Sequence, residues 1–267
     1  MVSDATGETA ARLVRALEAQ FPDQEFVEIR HPSVESVADL QLAIDRMRGR
    51  PAVVVYTLVA PELRSVMRKM CRSAKLHYCD LLAQPLSAIA KVSGQIARME
   101  PRARPPLNEA YFRRMSAIEF AVKHDDGVGA GLHGADVVLV GVSRTSKTPL
   151  SIYLGYLGYK AANVPLVKGI PPPPELFEVE PWKVVGLTID AQRLSDIRVE
   201  RIRWMRGDHK YADLLEIYEE LDYASQVQRR LGCPVIEVSD LSIEEISHRI
   251  IRLVEQRSAE AGVVAVE

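Results

Sequence analysis

The residues best suited to chemistry form one short run that begins with glycine and ends in Lys-Thr: Gly141, Val142, Ser143, Arg144, Thr145, Ser146, Lys147 and Thr148. An apolar, β-branched run at residues 136–140 precedes it, and a helical pattern at residues 149–157 follows it. In a strand–loop–helix unit of this kind, loop N–H groups point at phosphate oxygens, the lysine reaches the terminal phosphates and the threonine hydroxyl ligates Mg²⁺. The run therefore predicts a Walker A phosphate loop. The alternative is a βα turn that happens to contain Lys-Thr.

The loop departs from the G-x-x-x-x-G-K-S/T pattern at its sixth position, where Ser146 replaces glycine. Glycine usually occurs there because the backbone approaches the phosphate closely or needs unusual dihedral angles. We expect serine to be tolerated with a negative φ. The hydroxyls of Ser143, Thr145 and Ser146 add hydrogen-bond donors, and Arg144 adds positive charge.

Three carboxylates could assist this loop. Asp125 and Asp126 end a helical pattern at residues 108–123, where the helix dipole disfavours negative charge. Either could accept a proton from an attacking hydroxyl, and we favour Asp125; the alternative is an Asp-Asp-Gly turn. Asp190 follows a buried strand at residues 184–189 and could hold Mg²⁺ through water, or cap the next helix, or do both.

Two further segments could bind anions. Arg193, Arg198, Arg201 and Arg203 lie on the predicted helix 191–205, where Arg198 and Arg201 would share a face. They would form either a lid over the transferred phosphate or a solvated surface. The hydroxyls and Gly7 of the segment SDATGET, residues 3–9, could hold a second anion at a helix start or form a simple capping loop.

Alternating strand and helix patterns must position these groups. In the first half, strands are predicted at residues 26–29 and 53–56, and helices at 34–47 and 61–74. In the second half, strands are predicted at 136–140, 162–166, 184–189 and 234–238, and helices at 108–123, 149–157, 191–205, 211–231 and 242–257. This rhythm predicts an α/β fold with parallel sheets.

A segment rich in proline and arginine, RMEPRARPP at residues 98–106, has no apolar periodicity and predicts a connection between two domains. We expect residues 1–105 to form a parallel-sheet α/β domain for regulation, dimerisation or docking. Residues 106–267 would form a P-loop kinase-like α/β domain.

Composition excludes several classes of function. The chain has 267 residues, 47% of them hydrophobic, and a formal net charge of −2, so nothing indicates a nucleic-acid partner. The three cysteines fit no zinc or redox spacing, which favours a reducing compartment. No signal peptide is evident, and the apolar runs are too short to cross a bilayer. We expect a soluble, cytoplasmic protein without a membrane partner.

Four blocks of sequence resemble the pyruvate, phosphate dikinase regulatory protein family, to which the phosphoenolpyruvate synthase regulatory proteins are related. They are SDATGET at residues 3–9, EFAVKHDDG at 119–127, GVSRTSKTPLSIYLGYLGYKAANVPLV at 141–167 and GLTID at 186–190. The Thr145-Ser146 pair is similar to the dikinase branch, since the synthase branch typically has Cys-Gly there. Family members usually carry several more residues before SDATGET, so either the start codon is misassigned or the first strand is short.

The resemblance implies a bifunctional enzyme. Such proteins use ADP to phosphorylate an active-site threonine of the dikinase, which inactivates it, and use inorganic phosphate to remove that phosphate as pyrophosphate. By this resemblance residues 141–148 bind ADP. The residue patterns themselves favour Lys147 and Asp125 or Asp126 as catalytic residues, and Thr148 with Asp190 as ligands of Mg²⁺. We also expect a homodimer. The alternatives are the same chemistry on phosphoenolpyruvate synthase, a P-loop kinase of small molecules, and a nucleotide sensor without catalysis.

Overall fold

The computed structural model describes residues 1–103, 108–125, 131–205 and 212–262, with the backbone alone for residues 202–205. The chain divides into two compact units, Met1–Pro106 and Leu107–Glu267. Each unit has its own parallel sheet and its own buried core, as expected for an α/β fold.

The first unit has a three-stranded parallel sheet in the order β1-β2-β3. Its strands are β1 (Val2–Ser3), β2 (Val53–Thr57) and β3 (His77–Asp80), and its helices are α1 (Glu8–Glu18), α2 (Val37–Asp45), α3 (Pro61–Ser73) and α4 (Ala83–Ser93). Local sequence explains the helix starts, since Ser36 and Asp39 form a capping box at α2 and Pro61 occupies the first turn of α3.

The structure confirms some of the helices and strands predicted for the first unit and contradicts one. The strand at residues 53–56 and the helices at 34–47 and 61–74 are confirmed, with bounds shifted by a few residues. The predicted strand at residues 26–29 is wrong. Val27 is 87% exposed, and the described pairing of this segment with β1 is a single bridge between His31 and Val2.

The sequence patterns also did not predict β3 and α4. The residues of β3 alternate between exposed and half-buried and lack an apolar run, because β3 forms an edge of its sheet. Helix α4 buries none of its residues, and no side chain caps its first turn.

The second unit has a four-stranded parallel sheet in the order β5-β4-β6-β7. Its strands are β4 (Val137–Gly141), β5 (Ala161–Pro165), β6 (Val184–Thr188) and β7 (Val235–Glu237), and its helices are α5 (Glu109–Lys123), α6 (Lys147–Leu157), α7 (Ala191–Met205), α8 (Leu214–Leu231) and α9 (Ile243–Glu260). Every predicted element of this half is confirmed. Asn108 caps α5, and Ser242 and Glu245 form a capping box at α9.

Strand β4 lies inside the sheet, and all five of its residues are buried. Because parallel strands place their carboxyl ends at one edge, β4 delivers the loop at residues 141–148 to the same edge as the residues that follow β6. Binding sites of open α/β sheets lie at this edge.

Helices α5 and α6 pack closely at Gly155. A Cβ atom at this position would lie 3.0 Å from the Cα of Ile118 and 3.1 Å from the carbonyl oxygen of Ala117. Only glycine allows this approach without displacing backbone. The contact brings the carboxyl end of α5 beside the first turn of α6. Across the described ranges, no helix has the length and apolar character needed to cross a membrane.

Candidate active site

The loop at residues 141–148 starts where β4 and β6 run very close together. A Cβ atom on Gly141 would lie 2.5 Å from the carbonyl oxygen of Leu187, so this glycine is required by the neighbouring strand. The hydroxyl of Thr145 is buried and donates to the carbonyl of Val142 at 2.9 Å. The loop therefore closes on itself before α6 begins at Lys147.

Lys147 is 5% exposed and turns back into the loop. Its Nζ donates to the carbonyl oxygens of Gly141 at 2.9 Å and Val142 at 2.7 Å. The pKa of Lys147 is lowered to about 8, chiefly by burial, with Asp125 opposing this shift and the positive charge of Arg144 adding to it. The ammonium group thus lies at the loop, within reach of an anion that the loop would bind.

Ser146 adopts a left-handed backbone conformation, with φ of 61°. The expectation of a negative φ at this position is wrong. Arg144 also has a positive φ, of 77°, while Thr145 between them does not. Alternation of this kind turns successive N–H groups toward one concave side, which is a geometry that binds anions. The position therefore keeps its glycine-like backbone although it carries a serine.

The donors at the loop fit a phosphate. Helix α6 begins without a side-chain cap, so the N–H groups of its first turn receive no side-chain acceptor. Among the residues that the structure describes, the buried Nε atom of Arg144 also has no hydrogen-bond partner. Buried N–H donors of this kind are usually satisfied, and an anion would satisfy them here.

Asp125 and Thr148 are in direct contact. The Thr148 hydroxyl donates to the two carboxylate oxygens of Asp125, at 2.8 Å and 3.0 Å. The structure thus joins a predicted base to a predicted metal-binding hydroxyl, although Asp125 and Thr148 are 23 positions apart in sequence. The oxygen lone pairs of Thr148 remain available to a cation while its proton is donated.

Asn163 completes this cluster and was not among the predicted site residues. It is 5% exposed, and its Nδ2 donates to Oδ1 of Asp125 at 2.6 Å. Its backbone N–H donates to the carbonyl of His124 at 2.9 Å. The available signal was an amide in the otherwise apolar strand AANVP, since buried polar side chains require partners.

Asp190 acts as a helix cap in this structure. Its Oδ1 accepts from the backbone N–H of Arg193 at 2.9 Å, and its own N–H donates to the hydroxyl of Ser239 at 2.9 Å. Asp190 is exposed at the edge of the sheet that carries the loop. Asp190 therefore caps α7, which was one of the two roles expected of it, and its second carboxylate oxygen is left for a hydrated cation. The other predicted base, Asp126, lies outside the described residues.

The donor set fits Mg²⁺ bound mainly through phosphate and water. Within the described ranges, no three His, Cys, Asp or Glu side chains cluster so that they could hold a metal ion. Mg²⁺ commonly binds through one or two protein oxygens, with substrate phosphates and water as its other ligands. The hydroxyl of Thr148 and the carboxylate of Asp125 or Asp190 would be such oxygens.

The arginines of α7 do not form one surface. Arg198 is fully buried, and its guanidinium donates to both carboxylate oxygens of Glu220 on α8, at 3.1 Å and 2.8 Å. Arg201, three residues further along the same helix, is exposed, so the two arginines form neither a common lid nor a common solvated surface. The side chain of Arg203 lies outside the described residues. Arg198 therefore ties α7 to α8, and among the described arginines of this helix Arg193 and Arg201 are exposed.

In the first unit, the side chains of the segment SDATGET contact main chain. Asp4 is buried, and its carboxylate accepts from the N–H groups of Val59 and Ala60 just before α3. The hydroxyl of Ser3 accepts from the N–H of Ala5 at 3.1 Å. Gly7 has φ of 81° and precedes α1, which begins without a side-chain cap. These contacts tie the loop that follows β1 to the residues that precede α3.

Comparisons with known proteins agree over nearly the whole chain. A family model described as Kinase/pyrophosphorylase matches residues 1–251. A Cutibacterium acnes protein assigned as a pyruvate, phosphate dikinase regulatory protein is 46% identical over 271 residues, covering 98% of this chain and 92% of its own. Proteins with the same assignment from Geotalea daltonii and Alkaliphilus oremlandii are 44% and 41% identical, covering 94% and 95% of this chain and 95% and 92% of their own.

Proposed function

The chain belongs to the kinase/pyrophosphorylase family, and from this premise we propose that it regulates pyruvate, phosphate dikinase by transferring phosphate to and from a threonine of that enzyme. ADP would be the phosphoryl donor. Inorganic phosphate would accept the phosphoryl group in the opposite process and leave as pyrophosphate. Family membership supports phosphotransfer, and the assignments of the relatives support the dikinase as target.

One observation carries this proposal most directly: Asp125 accepts a hydrogen bond from Thr148, one residue after Lys147. The loop that would bind phosphate and a carboxylate that can accept a proton are thus adjacent. Phosphoryl transfer to a hydroxyl needs both groups, because catalysis consists mainly of positioning the reactants and stabilising charge.

The chain's residues would divide the work as follows. The loop N–H groups and Lys147 would hold the β-phosphate of ADP, with Lys147 exchanging a main-chain acceptor for a phosphate oxygen. Asp125 would take the proton from the attacking threonine hydroxyl. When the phosphate is removed, the same carboxyl would return a proton to the threonine oxygen as it leaves. Mg²⁺, when bound, neutralises charge on the phosphates.

A labelling assay tests the proposal. Purified protein, Mg²⁺ and dikinase phosphorylated on its catalytic histidine are incubated with ADP labelled at its β-phosphate, or with ATP labelled at its γ-phosphate. We expect label from ADP to appear on a dikinase threonine, and added phosphate to release labelled pyrophosphate. Lys147→Ala should abolish both, because it removes the charge at the loop.

Lys160→Ala is the matched control, because Lys160 directly precedes β5 at the edge of the sheet opposite the loop. It should transfer label at the wild-type rate. Transfer only from ATP to a small molecule would contradict the proposal and support a metabolite kinase. Binding of ADP without any transfer would support a nucleotide sensor.

A further inference from the structure

We infer that Asn163 positions the carboxylate of Asp125 for proton transfer, and this inference rests on the phosphotransfer proposed above. Asn163 is a positioning residue, because it would act on the reacting hydroxyl only through Asp125. Its place in a buried strand gives it the rigidity that such a role needs.

Asp125 needs external support because it lies just beyond the carboxyl end of α5, which ends at Lys123. At that end the helix offers carbonyl oxygens and no N–H donors to a carboxylate. Asn163 provides two contacts at this point. Its backbone N–H donates to the carbonyl of His124 at 2.9 Å, and its side chain donates to Asp125 at 2.6 Å. Asn163 therefore holds both the main chain at His124 and the carboxylate of Asp125.

The two donors to Asp125 have different geometries. Thr148 donates to both carboxylate oxygens, at 2.8 Å and 3.0 Å. Of these two oxygens Asn163 donates only to Oδ1, at 2.6 Å, and its Nδ2 makes a longer contact of 3.4 Å with the Thr148 hydroxyl oxygen. Oδ1 therefore accepts from both Thr148 and Asn163, whereas Oδ2 accepts from Thr148 alone among the described residues. Oδ2 is then the atom that accepts a proton from an incoming hydroxyl.

The amide side chain of Asn163 carries a cost in folding stability. Among the described residues, its buried Oδ1 has no hydrogen-bond partner, and an unpaired buried acceptor destabilises a fold. An apolar side chain would suit the rest of this strand, where Ala161, Ala162 and Val164 are all fully buried. The useful atom is thus Nδ2, whose short contact with Asp125 offsets that cost.

The test compares Asn163→Ala and Asn163→Asp with wild-type protein. The first variant removes the donor, and the second keeps the size of the side chain but presents only oxygens. We expect kcat for transfer from ADP to fall by roughly 10- to 100-fold in both, the usual effect of losing a residue that orients a reacting group. The KM for ADP should stay within about 2-fold, because the loop is unchanged.

Carboxyl-carbon NMR of protein labelled at aspartate supplies a readout that does not require activity. The Asp125 resonance, assigned by its loss in Asp125→Asn, should move in both Asn163 variants. Asp136→Ala is the matched control, because Asp136 accepts from the N–H of Lys160 at 2.8 Å at the opposite end of the β4–β5 pair. It should change neither kcat nor the Asp125 resonance.

Each outcome decides the inference. An unmoved Asp125 resonance overturns it, as does a kcat within about 3-fold of an active wild-type protein in both variants. If wild-type protein transfers no phosphate but the resonance still moves, the proposed function fails and the positioning of Asp125 stands. If Asn163→Ala does not fold, Asn163→Asp carries both measurements, since it preserves the volume of the buried side chain.

Discussion

Ser146 has a backbone conformation that is unfavourable for any residue with a Cβ atom. Its φ of 61° places it in the left-handed region, which costs an L-residue about 1–2 kcal/mol. Glycine avoids this cost but loses about 0.5–1 kcal/mol through the greater freedom of the unfolded chain. We therefore predict that Ser146→Gly raises the free energy of unfolding by up to about 1 kcal/mol, measured by urea denaturation.

Ser146→Ala separates backbone strain from the serine hydroxyl. It keeps the Cβ atom and removes only the oxygen, so it should not share the gain of Ser146→Gly. Equal stabilisation by both variants would show that the hydroxyl, and not the left-handed backbone, is the unfavourable feature of this position.

Lys147 should link ADP binding to pH. Burial lowers its pKa to about 8 from the ordinary value of 10.5, so the free protein loses this charge as pH rises through about 8. A bound diphosphate favours the ammonium form and raises the pKa again. We predict that ADP binding takes up a proton at pH values just above 8 but not at neutral pH, and that apparent affinity declines over the same range.

Calorimetry in buffers of different ionisation enthalpy measures this uptake. Lys147→Met cannot titrate and should bind ADP more weakly, without proton uptake. Uptake that persists in Lys147→Met would assign the proton to another group.

At the scale of elements, the contact between α5 and α6 determines how far Asp125 lies from Thr148. We predict that Gly155→Ala lowers the free energy of unfolding by about 1–3 kcal/mol, since a Cβ atom 3.0 Å from the Ile118 Cα must displace backbone. It should also reduce the rate of phosphotransfer, because the helices that carry Asp125 and Thr148 would move apart. Denaturation and the labelling assay measure the two effects.

Gly134→Ala is the control for this packing argument. A Cβ atom there would meet the ring of Phe120 at 3.4 Å, which is an ordinary van der Waals contact with a side chain. We expect wild-type transfer and a small change in stability. A Gly155→Ala protein with unchanged transfer would show that the separation of α5 and α6 does not control the site.

At the scale of the whole molecule, the described residues offer one loop for both phosphate-containing substrates. ADP and inorganic phosphate would each need its N–H groups and Lys147. We predict that ADP inhibits the release of pyrophosphate competitively with respect to phosphate, measured from initial rates on phosphorylated dikinase. Inhibition that phosphate cannot overcome would indicate two separate sites.

The roles of the first unit stay predictions. Its sheet, its loop at residues 3–9 and its exposed helix α4 show how this half folds. Regulation, docking and dimerisation were the functions expected of it, and they remain to be measured. The expected homodimer is checked most simply by light scattering of the purified protein.

Sequence patterns alone determined most of the second unit. Strands buried on both faces have continuous apolar runs, and helix caps are local, so β4, β6, α7 and the caps Asn108 and Ser242 could be predicted from neighbouring residues. The loop could be identified for the same reason, since its glycine, lysine and threonine are consecutive with a strand and a helix. The edge strand β3 and the helix α4 lack such local signals and were not predicted.

Only the tertiary structure decided how the site is assembled. Asn163 meets Asp125 because β5 lies next to β4 and because Gly155 lets α5 approach α6, and these contacts join residues far apart in sequence. The burial of Arg198 against Glu220 and the left-handed φ of Ser146 likewise depend on packing and loop closure. Local periodicity reports which face of an element is apolar, but not which distant side chain that face will meet.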